Sequence, residues 1–133
     1  MCLFCKIINQ EIPSHKIYEN DHVFAFLDIF PLSKGHTLVI PKSHTTHVLE
    51  ATQDDIMHCF NAIKLITQHY DQSLQATGYN IVSNVHASAG QSVHHTHFHI
   101  IPRYNLNDTL FASFKEVKSP LDLPHLCETI KLV

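Results

Sequence analysis

Glycine is scarce, with three residues in 133, tryptophan is missing, and lysine plus arginine total nine. So little glycine excludes a Gly-rich linker or low-complexity tract, and no internal repeat is present. So few cations give no basic footprint for wrapping a nucleic acid backbone. An anionic small molecule stays open, because local main-chain donors can hold a phosphate without net positive charge. No apolar stretch approaches the roughly 20 residues that span a bilayer. The start, Met1-Cys2-Leu3-Phe4-Cys5-Lys6, has the pattern of neither a signal nor a transit peptide. The expectation is a cytoplasmic protein of one domain over residues 1–133, with no membrane and no nucleic acid partner.

Histidine is what the chain has in excess, with 13 copies, and there are four cysteines. Cys2 and Cys5 form a C-x-x-C pair, which in a reducing compartment reads as a metal site or a redox motif. Cys59 and Cys127 stand among apolar residues and read as small core hydrophobes. His47, His86 and His94 are expected at the surface.

The pattern of residues predicts an α+β fold. A short helix runs over Phe4 to Gln10, stopped by Pro13. Three strands follow: Lys16-Ile17-Tyr18, His22 to Leu27, and Thr37 to Pro41, the last two rich in β-branched or aromatic residues. Thr52-Gln53-Asp54-Asp55 resembles a capping box and opens a long helix. Its apolar stripe is Ile56, Phe60, Ile63, Ile66 and Tyr70, running to about Gln75 and ended by Gly78. Tyr79 to Val82 and Val93 to Pro102 are the fourth and fifth strands. A weaker helix over Leu121 to Leu132 is interrupted by Pro124. Connections too short for helical crossovers favour an antiparallel meander.

The fifth strand carries the chemistry. Alternate residues of a strand share a face, so His95, His97 and His99 project together, about 6.5 to 7 Å apart along the strand. Thr96, Phe98 and Ile100 then face the long helix. Three histidines on one face gain little packing and demand hydrogen-bond partners. That spacing suits one anionic ligand or one metal. The preceding Gly90-Gln91-Ser92-Val93 strengthens the anionic reading: Gly90 allows close backbone approach, and the amides from Gly90 to Val93 can form an anion nest. Ser92 adds a hydroxyl.

His95-Thr96-His97-Phe98-His99-Ile100-Ile101 resembles the signature of the histidine triad (HIT) superfamily, with Thr96 at the loose position. Phe24-Ala25-Phe26-Leu27-Asp28-Ile29 and Gly35-His36-Thr37-Leu38-Val39-Ile40-Pro41-Lys42 resemble that group's ribose-binding and sheet segments. With Asn84 and the Gly90 loop, the likeness covers about residues 2 to 104; the tail from about 105 is poorly matched. It implies a HIT-like five-stranded antiparallel sheet with one long and one short helix, dimerising into one continuous sheet. It also implies a purine nucleotide hydrolase or transferase acting at the α-phosphate. His97 would be the nucleophile, forming a transient nucleotidyl-histidine, with one ring N–H held by the His95 carbonyl. His99 would donate to phosphate oxygens, Ser92 and the loop amides of Gly90 and Gln91 would stabilise charge, and His36 would support the site. Asp28 would accept both ribose hydroxyls, Asn84 would orient the phosphate side, and Phe4, Ile7 and Ile29 would sandwich the purine.

The resemblance further implies a structural zinc ion held by Cys2, Cys5, His44 and His95, with no open position for chemistry. No organic cofactor is expected. Within the superfamily, Ser92 favours cleavage of nucleoside phosphoramidates or aminoacyl adenylates, since its hydroxyl can pass a proton to a leaving amine. Dinucleoside polyphosphate hydrolysis is the alternative. Competing readings of another class are a non-catalytic nucleotide- or zinc-binding interaction module and a metal-storage protein.

Overall fold

A computed structural model describes residues 2–110, 114, 117 and 120–132. The elements are α1 (Leu3–Ile8), β1 (Lys16–Glu19), β2 (Val23–Leu27), β3 (Thr37–Pro41), α2 (Gln53–Ser73), β4 (Gly78–Val82), β5 (Phe98–Arg103) and α3 (Leu123–Ile130). The strands form one antiparallel sheet in the order β1-β2-β3-β5-β4. Among the described residues, no helix is long and apolar enough to cross a membrane.

Both faces of the sheet are covered, which explains why Val23 to Phe26 and Thr37 to Pro41 are buried without a break. On one face, Val23, Ala25, Val39, Phe98 and Ile100 pack under Cys59, Ala62, Ile63, Ile66 and Tyr70 of α2. On the other, Phe24, Phe26, Leu38 and Ile40 pack under Phe4 and Ile7 of α1. The period-2 alternation of strands splits the two sets. Truncating Ile100, which is wholly buried, would cost about 2–5 kcal/mol. The capping box is real in part: the Thr52 hydroxyl accepts from the Asp55 amide at 3.1 Å, worth about 1 kcal/mol to the first turn.

Several expectations need correction. The sheet is not a meander, because β5 enters between β3 and β4. Strand β5 begins at Phe98, not Val93, so His95 and His97 precede it. The reason is local. The His95 ring lies 2.8 Å from the Pro41 carbonyl, and the Thr96 amide turns to Thr45 O. The ladder to β3 therefore stops at Val39↔Phe98. The first helix ends at Ile8, capped by Asn9 rather than stopped by Pro13. Gly78 opens β4 instead of ending α2, which is closed at Leu74. Pro124 sits in the first turn of α3, where its missing N–H costs nothing, so the helix is uninterrupted. Phe60 is 42% exposed, and Cys59 takes its place in the buried stripe. Cys127 is exposed. His47 is buried, with its ring edge-on to that of His86.

Candidate active site

A cleft of about 370 Å³ opens between α1, the loop after β2 and the start of β5. Phe4, Ile7, Ile12, Phe26, Leu38 and Val93 make an apolar wall, and Asp28, Ser92, His97 and His99 supply the polar groups. A mostly apolar wall with a few convergent polar groups is the usual form of a small-ligand site. The sheet builds it: Leu38 pairs with His99 in register, so both face α1. The Phe4 ring meets the His97 ring edge-on at 5.1 Å and fixes its plane.

The hydrogen-bond partners determine where each imidazole carries its proton, since carbonyls only accept and amides only donate. His95 Nε2 donates to Pro41 O at 2.8 Å, which leaves its Nδ1 a lone pair. His97 Nδ1 donates to His95 O at 2.6 Å, so its Nε2 is a lone pair. His36 Nδ1 accepts from the Leu32 amide at 3.0 Å, so its Nε2 carries hydrogen. That Nε2 lies 2.9 Å from His99 Nδ1, which accepts, and neutral His99 then holds its proton on Nε2. The cleft therefore contains one imidazole acceptor, His97, beside one imidazole donor, His99.

Burial keeps this set neutral. It holds His97 below the ordinary histidine range, opposed by the bond to His95 O and by the Asp28 charge. His99 is pushed down to about 4, first by burial and then by the neighbouring His97 and His36. Burial also lowers His36, against the pull of Asp28, whose Oδ2 is 3.6 Å from His36 Nε2. An uncharged imidazole with a free lone pair at pH 7 is a competent nucleophile.

Of the residues expected at a nucleotide, Phe4, Ile7, Asp28, Ile29, Ser92, His97 and His99 border the cleft. Gly90, Gln91 and Asn84 are not among the residues that line it. Gly90 adopts φ +97° with Asn84 Nδ2 close to the face a Cβ would occupy. Its amide and that of Gln91 are bonded back to Ala87 O and His86 O, which takes both out of the expected nest. Gln91 is no surface contact: it is buried, its Oε1 accepts from His86 N, and its Nε2 donates to Thr46 O and Val93 O. Sequence reasoning missed the Leu32 amide and the Pro41 carbonyl, main-chain groups with no residue-type signal. It also missed Phe26 and Leu38, which the α1-side alternation of β2 and β3 could have indicated.

Cys2, Cys5, His44 and His95 bring four ligand atoms within 4.8 Å of one another. His44 Nδ1 and His95 Nδ1 are 3.1 Å apart, and the thiol-to-imidazole distances are 3.5 to 3.6 Å. A tetrahedral zinc with ordinary bond lengths has nitrogen–nitrogen edges of about 3.3 Å and nitrogen–sulfur edges of about 3.6 Å. The donor set fits such an ion. The His95 Nδ1 lone pair faces the centre of the group because Nε2 is committed to Pro41, the second-partner arrangement that metal-binding histidines require.

Residues 9–106 match the family model described as the HIT domain. An uncharacterized HIT-like protein of Methanocaldococcus jannaschii is 48% identical over 131 residues, covering 98% of this chain and 99% of the relative. The adenosine 5'-monophosphoramidase hnt1 of Schizosaccharomyces pombe is 40% identical, covering 78% of this chain and 75% of that protein. The crystal structure of a HIT family member from Bacillus subtilis superposes with a TM-score of 0.81 at 44% identity. That match covers 97% of this chain and 94% of the other.

Proposed function

This chain belongs to the HIT domain family, and on that basis we propose that it is a purine nucleotide hydrolase or transferase acting at the α-phosphate, of the nucleoside phosphoramidate or aminoacyl-adenylate type. The observation that carries this reading is the 2.6 Å bond from His97 Nδ1 to His95 O, which leaves Nε2 as the one free imidazole lone pair facing the cleft. The relative named as an adenosine 5'-monophosphoramidase supports the P–N lean.

His97 Nε2 attacks the α-phosphorus, a P–Nε2 bond forms, and the bond from phosphorus to the leaving group breaks. The exposed Ser92 hydroxyl passes its proton to a departing amine. His99 Nε2–H and the Ser92 and Val93 amides donate to the non-bridging oxygens as charge builds there. Water then attacks phosphorus and gives a proton back to Ser92 Oγ, the P–Nε2 bond breaks with its electron pair returning to His97 Nε2, and nucleoside monophosphate leaves. The purine lies between Phe4, Ile7 and Ile29. Asp28 accepts from the ribose hydroxyls through Oδ2, since Oδ1 already holds the Phe30 amide.

Cys2, Cys5, His44 and His95 hold a structural zinc ion in this proposal, pinning α1 and the β3–α2 connection to the triad. All four positions are filled by protein, so the ion takes no part at phosphorus. Two chains pair into one continuous sheet. Supporting this, β4 is an edge strand with Ile81 exposed, and the outer side of α2 exposes Met57 and Leu65.

The reading is tested with a fluorogenic adenosine phosphoramidate. Turnover by the wild type that is lost in His97→Ala supports it. Equal background rates in both would reduce the protein to a nucleotide-binding module.

A further inference from the structure

The loop from Asp28 to Gly35 reaches both ends of the site. Ile29 and Phe30 border the base end of the cleft and are 73% and 81% exposed. Two residues on, the Leu32 amide donates to His36 Nδ1 at 3.0 Å. A main-chain amide cannot accept, so this contact dictates which His36 nitrogen bears hydrogen. His36 Nε2 faces His99 Nδ1 at 2.9 Å, so the dictate passes to His99. His36 is buried, and its Nε2 has Asp28 Oδ2, at 3.6 Å, as a second neighbour that accepts.

We propose that the Leu32 main-chain amide, acting through His36, is the positioning group that fixes His99 as a hydrogen-bond donor toward phosphate. Without the amide, His36 is free to move its hydrogen to Nδ1. His99 Nδ1 then loses its donor, and the ring can present a lone pair to the phosphate oxygens, which repels them. His36 and Leu32 touch no reacting atom; they work by setting the ring that does. The inference rests on the phosphate-transfer reading for its consequence, but the proton positions can be observed in the free protein.

The experiment is ring 15N NMR of the histidines, assigned by single substitutions, on wild type and on a Leu32 amide-to-ester variant made by incorporating leucic acid. Wild type is expected to show hydrogen fixed on Nε2 of His36 and His99 and on Nδ1 of His97. In the ester variant the His36 and His99 signals should move to averaged values, while His97 keeps its own. Its kcat on the phosphoramidate should fall about tenfold, the worth of one imidazole hydrogen bond, with KM changed less than about threefold. Hydrogen on Nδ1 of His99 in wild type overturns the proposal. So does an ester variant whose ring signals and kcat are both unaltered. Should the ester variant not fold, the wild-type ring spectrum decides by itself. Inactive protein with the expected ring protons would sink the enzymatic reading and leave the relay standing.

Discussion

The main-chain oxygen of His95 holds His97 Nδ1 at 2.6 Å while the His95 ring, anchored on Pro41 O, faces Cys2 and Cys5 at 3.5 and 3.6 Å. One residue thus belongs to two sites: its side chain to the cysteine–histidine cluster and its carbonyl to the nucleophile. Whatever steadies the cluster also steadies the proton that keeps His97 Nε2 open.

Replacing one ligand should therefore expose the dependence. Cys5→Ser is expected to bring bound zinc from about one per chain to near none and to lower Tm by on the order of 10 °C. Activity should fall much less than in His97→Ala, since the Pro41 bond still orients the His95 ring. Metal analysis with thermal melts checks this; unchanged zinc content in the variant would contradict the four-residue cage.

Gln91 is the pin of the loop that carries Ser92. Its amide ties that loop to the connection between β3 and α2 through one bond donated to Thr46 O, and braces the loop itself by donating to Val93 O and accepting from His86 N. Gln91→Glu keeps the shape but turns both donors into an acceptor facing carbonyls. Denaturant melts should show a loss of about 2 kcal/mol, and steady-state kinetics should show kcat/KM down about tenfold. If Gln91 instead touched the nucleotide directly, KM would rise with stability unaltered.

Acid should weaken the fold as well. His99 is held at about 4 and His36 below its usual value, both by burial. The unfolded chain takes up protons near pH 6.5, whereas folded His99 resists until about 4. Between those values the unfolded state binds more protons, so stability rises with pH and is lost on descent from about 6.5 to 4. Unfolding free energies measured across that window should slope upward. The slope should be shallower in His99→Gln, and an equal slope in that variant would contradict the assignment to His99.

Much of this was legible from residue types and spacing. The β-branched and aromatic residues of His22 to Leu27 and Thr37 to Pro41, and the helical stripe ending in Tyr70, predicted strands and helix where the structure has them. Histidine spacing put His97 and His99 at one cleft. The error in the β5 boundary has one physical source: the His95 ring bond to Pro41 O and the Thr96 amide bond to Thr45 O replace ladder bonds, and alternation of residue types cannot report that. Strand order was misread because β4 and β5 are adjacent in sequence, while nothing local states that β5 also pairs with β3. The Gln91 main-chain amide, expected at the phosphate, is instead bonded back to His86 O, a loop hydrogen bond that residue types do not report. The proton arrangement of His36 and His99 depends on the Leu32 amide, which every residue but proline supplies.

The central claim is that the His97 Nε2 lone pair becomes covalently bonded to phosphorus, and direct trapping tests it. The protein is mixed with an activated adenylate, denatured in base within the turnover time to preserve the P–N bond, and mapped by peptide mass spectrometry. An adenylyl group on His97, absent in His97→Ala, is the expected result. Steady turnover with that side chain never labelled, or label persisting in the variant, would contradict the account.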